Sequence, residues 1–267
     1  SLVVTSGTGS GKSLCFFVPI IDAAIRAREA GKPQGTRAII VYPMNALANS
    51  QLEEINRFLA QSGLPPHLLP TVARFTGQES AQDRANVRAM KPDILLTNFM
   101  MLELLMTRQK EDDREVMANA EGLKFLVLDE LHTYRGRQGA DVAMLMRRVR
   151  DRLCPDAPPV CIGTSATMAS EGDAEARASA VAKVASKLFA ANITAASVIA
   201  ETLERATKHT ADVSAKALAA IIDKPFPTKL TNAEFEANPL AAWVEMAVGL
   251  DDAQGLARRT PMTLGQA

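Results

Sequence analysis

Short apolar, β-branched runs alternate along this chain with stretches in which apolar residues recur every three or four positions. The runs at 2–5, 38–42, 72–75, 94–97, 124–128 and 160–163 are mostly apolar throughout rather than alternating. That is the pattern of strands covered by helices on both faces. Between them, Ala48, Leu52, Ile55 and Leu59 share one face of a helix over 46–60. Val142, Leu145, Met146, Val149 and Leu153 do the same over 138–153. Alternating strands and helices imply right-handed crossovers and an α/β fold built on a parallel, doubly wound sheet. After Met168 the texture becomes alanine-rich and helical. Val181, Val184, Ala185, Leu188 and Phe189 share a face, Pro225 and Pro227 interrupt, and Leu240, Trp243, Val244 and Ala247 mark a last helix. No strand is expected after residue 165. The pattern therefore predicts an α/β domain over 1–168 and an all-helical extension over 169–267.

Two polar insertions break the apolar frame. Ser6-Gly7-Thr8-Gly9-Ser10-Gly11-Lys12-Ser13 follows the first strand and opens a helix. This is the setting of a P-loop, whose glycines let successive backbone N–H groups converge on phosphate oxygens. The residues from Gly7 to Ser13 would cradle the phosphates, Lys12 would reach the β- and γ-phosphates, and the Ser13 hydroxyl would bind magnesium. The strict pattern opens with Gly or Ala, and Ser6 stands there instead. Pro19 removes a hydrogen bond to the Cys15 carbonyl, so a local kink is expected. The second insertion ends the apolar run at 123–128 with Asp129 and Glu130. Magnesium takes hard oxygen ligands and keeps most of its water, so Asp129 suffices as its carboxylate, while Glu130 would orient the attacking water. Strand C-termini in such a sheet meet at one edge, which would bring both insertions together.

Composition narrows the setting. Of 267 residues 47% are hydrophobic and 22% charged, which excludes a disordered or collagen-like chain. Thirty basic residues balance thirty acidic ones, so a nucleic-acid partner would have to be held by local donors rather than bulk charge. Cys15, Cys154 and Cys161 show no C-x-x-C spacing, which points to a reduced, cytoplasmic compartment without a zinc site. No apolar run is long enough for a membrane span. The chain opens inside a core strand without an initiator Met, as a piece of a longer protein would. Arg147, Arg148, Arg150 and Arg152 read as a solvated helix face. Arg135 and Arg137 could face nucleic acid or another domain. His67 and His209 lack metal-ligand neighbours. Cys154 and Cys161 read as packing residues, and Trp243 as a packing anchor or a docking point for another domain.

The ordered motifs resemble those of superfamily 2 helicases of the DEAD/DEAH-box kind. Residues 6–13 and 129–132 resemble motifs I and II. Residues 42–51 (Y-P-M-N-A-L-A-N-S-Q) resemble motif Ia, Thr76-Gly77 the threonine-glycine motif, 96–102 motif Ib, and Ser165-Ala166-Thr167 motif III. The block Asp129-Glu130-Leu131-His132-Thr133-Tyr134-Arg135-Gly136 is similar to bacterial helicases of the mitomycin-repair and DISARM phage-defence types. The resemblance implies a RecA-like lobe with ATP and Mg2+ as cofactors and Lys12, Asp129, Glu130 and His132 in the hydrolytic machinery. It implies that Ser165 and Thr167, with His132, couple that site to nucleic acid. It implies that Pro43, Asn45, Thr76, Gly77, Thr97 and Asn98 grip a phosphodiester backbone, of DNA sooner than RNA. A second RecA-like lobe carrying the arginine fingers would lie elsewhere in the full-length protein, leaving this stretch nearly inactive alone. Rival readings are a duplex translocase, an RNA helicase, and a nucleotide-gated binding module without motor activity.

Overall fold

The computed structural model describes residues 1–7, 11–166, 174–208, 214–223, 229–251 and 256–259. The chain divides into two compact units, Ser1–Glu201 and Thr202–Ala267. In the first, strands β1 (Leu2–Thr5), β2 (Ala38–Tyr42), β3 (Val72–Arg74), β4 (Ile94–Asn98), β5 (Phe125–Leu128), β6 (Val160–Ser165) and β7 (Val198–Ala200) form one sheet. Its order is β3-β4-β2-β5-β6-β1-β7, and every pairing is parallel. Helices α1 (Lys12–Glu29), α2 (Asn45–Ala60), α3 (Ala81–Met90), α4 (Phe99–Thr107), α5 (Glu111–Ala118), α6 (Gly136–Leu153) and α7 (Ala174–Phe189) complete the unit.

Every residue of β2 and β4 is buried, which explains their unbroken apolar runs. Alternate side chains divide between two cores. Ala38, Ile40 and Tyr42 pack with Phe16, Phe17 and Ile20 of α1 and Ile55 of α2. Ile39 and Val41 belong to the opposite core, with Leu102 of α4, Met117 of α5, Val142 and Met146 of α6, and Leu188 of α7. Pro19 lies inside α1, which continues past it to Glu29 with Phe16, Phe17, Ile20 and Ile21 buried on either side. No helix of the described residues is long and apolar enough to cross a membrane.

Three expectations need correction. A strand does follow residue 165: β7 pairs with β1 in the register Val3↔Val198. It has three residues, two of them exposed, at the sheet's edge, so it carries no run of the kind that marks β2 or β4. The first unit accordingly extends to Glu201 and takes in α7, whose Val181, Ala185, Leu188 and Phe189 join the sheet's core. The second unit holds α8 (Ala215–Ile222), α9 (Asn232–Glu236) and α10 (Pro239–Val244), but also an antiparallel pair, β8 (Leu250–Asp251) with β9 (Ala257–Arg258). It is not all-helical. Two-residue ladders are too short to print a periodicity. Trp243 is half-buried within this unit, while Pro225, Pro227 and His209 lie outside the described residues.

The arginines of α6 are braces rather than a free solvated face. Arg148 Nη2 lies 2.5 Å from the Glu103 carboxylate on α4. Arg152 donates to the Met106 carbonyl at 3.2 Å, and Arg150 to the Phe189 carbonyl at 2.7 Å. Together they tie α4 and α7 to α6.

At the N-terminal edge of the sheet the Asp93 carboxylate is buried and receives Arg37 at 3.1 Å, Arg28 at 2.5 Å and the Thr71 amide at 2.9 Å. One anion thus joins α1, the β3 entry and the starts of β2 and β4. Asp93→Ala strands two guanidinium groups in a largely buried site, so it is expected to cost about 3 kcal/mol in urea unfolding. An unchanged midpoint would show that the cluster is replaceable by water.

Candidate functional site

Parallel register places the C-termini of β5, β6 and β1 side by side. Three segments therefore meet at one edge: the loop after β1, Asp129–Glu130 after β5, and Ser165–Ala166 at the end of β6. The Ser6 amide donates to the Ser165 carbonyl at 3.3 Å. Gly11 adopts φ +77° as it enters α1, a left-handed backbone that glycine tolerates. Lys12 Nζ donates to the Ser6 carbonyl at 2.9 Å and stands 3.9 Å from Glu130 Oε1. Ser13 is half-buried in the first turn of α1. The Gly7 amide donates to Glu201 Oε2 at 3.1 Å. Thr8, Gly9 and Ser10 lie outside the described residues, as does Thr167.

Asp129 is buried, its amide donating to the Val41 carbonyl at 2.9 Å and its carboxylate accepting from the Thr164 hydroxyl. Burial pushes this carboxyl above its ordinary range; Glu130's charge pushes the same way, and the Thr164 hydroxyl and Lys12 pull it back only in part. Glu130 has φ +54°, a strained left-handed backbone for a side chain of this size. Its amide donates to Thr164 Oγ1 at 3.2 Å, so one threonine ties down two successive acidic residues. Glu130 Oε2 accepts from the Ala166 amide at 3.4 Å and lies 3.2 Å from His132 Nδ1. The same nitrogen is 3.2 Å from Ser165 Oγ. His132, Glu130 and Ser165 are thereby brought together as their motifs suggest. Thr164 and Glu201 are partners that sequence reasoning missed. Thr164 only precedes the S-A-T triplet, and Glu201 follows a strand with no signal.

A second cluster sits where β2, β4 and the loop after β3 end. Pro43, Asn45, Thr76, Gly77 and Asn98 line a cavity of about 390 Å3 with Met44, Phe99, Met100, Met101 and Leu104. Met44 and Met100 are largely exposed at this site. Thr97 is not part of it. It has no exposed surface, and its hydroxyl donates inward to the Phe75 carbonyl at 2.7 Å, so it holds two strand ends rather than a ligand. Asn98 is also spent internally: Oδ1 caps α4 through the Met101 amide at 2.7 Å, and Nδ2 donates to the Thr76 carbonyl at 3.0 Å and to Asn45 Oδ1 at 2.5 Å. The Thr76 amide, Thr76 hydroxyl and Gly77 amide all donate to the Glu79 carboxylate. Thr76, Gly77 and Asn98 thus shape the cavity, while Asn45 keeps an amide nitrogen with no acceptor among the described residues. Arg135 and Arg137 are exposed beside motif II.

A glycine-rich segment leading into Lys12 and an Asp-Glu strand end on one parallel sheet edge are features of a P-loop nucleotide-binding fold. The DEAD/DEAH box helicase family matches residues 1–174, and the chain belongs to that family. Among its relatives is the uncharacterized ATP-dependent helicase YprA of Bacillus subtilis, 33% identical over 174 residues, which cover 64% of this chain and 21% of YprA. Another is the Druantia protein DruE of Escherichia coli, 28% identical over 65% of this chain and 15% of DruE. The crystal structure of DUF1998 helicase MrfA bound to DNA and AMPPNP superposes with a TM-score of 0.56 at 25% identity, over 75% of this chain and 25% of that one. Helicase Lhr of Mycobacterium smegmatis, bound to ssDNA and AMP-PNP, shares the fold with a TM-score of 0.58 at 24% identity. The chain spans about a fifth of YprA and less of DruE. These likenesses set it beside the bacterial helicases that its 129–136 block resembles.

Leu131 locks the motif II turn from below. A Cβ on Gly163 of β6 would lie 2.5 Å from Leu131 Cδ1 and 3.1 Å from its Cγ, and Leu131 is fully buried. Gly163→Ala is expected to destabilise the chain by about 1–3 kcal/mol in urea unfolding, through overpacking. A loss below about 0.5 kcal/mol would show that Leu131 moves aside freely.

Proposed function

We propose that this chain is the ATP-binding lobe of an ATP-dependent helicase or translocase acting on nucleic acid, DNA in preference to RNA. The observation that carries the reading is the convergence of Lys12, Asp129 and Glu130 at one sheet edge, next to the cavity lined by Asn45 and Thr76. Family membership and the nucleotide- and DNA-bound MrfA support it.

The donor set suits a magnesium nucleotide. Among the described residues Lys12 Nζ meets the Ser6 carbonyl and the edge of the Glu130 carboxylate, and phosphate oxygens could take their place. Among the described residues no three His, Cys, Asp or Glu side chains converge to hold a metal. A single buried carboxylate at a strand end, with a serine hydroxyl in the first turn of α1, suits an ion that keeps most of its water. Asp129 and Ser13 would hold that ion, which neutralises the developing phosphate charge when bound. Gly7 to Ser13 would bind the phosphates. Glu130 would accept a hydrogen bond from the attacking water and take its proton. His132 would hold Glu130 in place through Oε2 and report its state to Ser165 and, beyond it, Thr167. Pro43 and Asn45, on a wall shaped by Thr76, Gly77 and Asn98, would face the nucleic-acid backbone.

In this reading the first unit is the lobe, and the second leads towards a further RecA-like lobe of the full-length protein. Arginine fingers from such a lobe are worth ~10³–10⁵ in rate, so the chain alone is expected to bind nucleotide but turn it over slowly. Its three free cysteines, two of them buried, suit the cytoplasm.

Binding of a fluorescent ATP analogue with Mg2+ tests the core of this proposal. Lys12→Ala removes a charge-assisted bond and is expected to weaken binding about 10- to 100-fold. Glu130→Gln should leave binding in place and abolish hydrolysis by the full-length protein, which DNA should stimulate more than RNA. A chain that binds no nucleotide would overturn the proposal, and stronger stimulation by RNA would reassign the partner.

A further inference from the structure

Glu79 lies in the loop between β3 and α3, two residues beyond Gly77, and its side chain is 3% exposed. Oε2 accepts from the Thr76 amide at 2.9 Å and the Gly77 amide at 2.8 Å. Oε1 accepts from the Thr76 hydroxyl and from Arg74 Nε, each at 2.9 Å. Two backbone amides, a hydroxyl and a guanidinium are the set of donors a phosphate group receives in a protein loop. Here the anion comes from the chain itself. Burial pushes the carboxyl up, but hydrogen bonds from its own backbone, the Thr76 hydroxyl and amide, and the Gly77 amide outweigh that and hold it below its ordinary range. It is therefore ionised at neutral pH.

The loop that Glu79 fixes is linked to the helix opening the cavity. Arg74 Nη1 donates to Asn49 Oδ1 at 2.5 Å, one turn along α2 from Asn45. The Thr76 carbonyl receives Asn98 Nδ2, which also holds Asn45 Oδ1. Both routes end on the first two turns of α2, and Met44, the residue that precedes the helix, makes no side-chain cap. The first-turn amides of α2 and Asn45 Nδ2 are left as donors, while those of Thr76 and Gly77 are saturated.

We infer that Glu79 is a positioning residue for nucleic-acid binding: a built-in anion that fills the Thr76–Gly77 donors, sets the loop before a strand arrives, and leaves the strand's phosphates to the start of α2. The inference rests on the nucleic-acid reading above. Its rival is that Glu79 is a placeholder, displaced when a phosphate takes the Thr76–Gly77 donors. Displacement would strand a buried carboxylate and its guanidinium, which the geometry disfavours.

The two ideas predict opposite signs. Binding of the 267-residue chain to a labelled single-stranded oligodeoxythymidylate of about twenty nucleotides is followed by anisotropy, from about 50 to about 200 mM salt. Glu79→Gln is expected to weaken binding about tenfold at every salt concentration, because the α2 donors lose their alignment. The slope of log K against log salt should stay the same, since no phosphate contact is lost. Glu79→Asp, which keeps the charge, should recover most of the affinity. Tighter binding by Glu79→Gln, with a slope steeper by about 0.7, would establish the placeholder and overturn the inference. Unchanged affinity in both variants would overturn it as well, leaving Glu79 a purely structural residue. If Glu79→Gln does not fold by circular dichroism, Thr76→Val removes only the hydroxyl donor. A weakening of about twofold or more at constant slope then supports the inference, and unchanged affinity overturns it. No binding by the unsubstituted chain overturns the nucleic-acid reading and this inference together. Binding that is indifferent to Glu79 overturns this one alone.

Discussion

All seven strands of the first unit point the same way, and this single constraint organises everything else in it. Parallel strands deliver their C-termini to one edge, and each chain segment leaving that edge must turn into a loop or helix there. Polar groups that would be intolerable inside the sheet are gathered where the backbone stops being paired. The neighbouring strands β5, β6 and β1 gather the loop after β1 with Asp129, Glu130 and Ser165. Strands β2, β4 and β3, on the other side of β5, gather Asn45, Thr76 and Asn98. Two sites with different chemistry thus share one edge because one sheet has one direction.

Both sites hold their charges by internal bonds. Thr164 bridges the Asp129 carboxylate and the Glu130 amide, and Lys12 rests on the Ser6 carbonyl close to Glu130. Glu79 does the same for the neighbouring loop. A buried carboxylate without such partners would be costly, so the geometry of each site is maintained by its own hydrogen bonds. At the opposite edge the Asp93 carboxylate is held in the same way, buried beneath two arginines. The same chemical device therefore fixes the chain at both edges of the sheet.

The central strands were legible because full burial leaves β2 and β4 no polar position. Asp129 and Glu130 were legible because polar residues ending an apolar strand stand out, and Lys12 because a glycine-rich run carries the chain from β1 into it. The rest was hidden for identifiable reasons. β7 is short and lies at the edge, where packing tolerates almost any residue. Thr97 sits within a helicase-like motif, yet its side chain turns inward, and a linear pattern does not record direction. Glu79 and Thr164 act through bonds to residues far apart or to backbone atoms, neither of which leaves a periodic trace. The α6 arginines read as a solvated face because their acceptors are mainly carbonyls of α4 and of the α7 end.

The left-handed backbone at Glu130 has a further consequence. Any side chain there carries a conformational cost of about 1 kcal/mol that glycine would escape. Selection for robustness alone would drift this position towards glycine, whereas this chain carries a carboxylate there. The turn after β5 is thus a place where backbone ease and side-chain chemistry pull apart, and a laboratory screen rewarding heat resistance alone would tend to erase the Glu130 carboxylate.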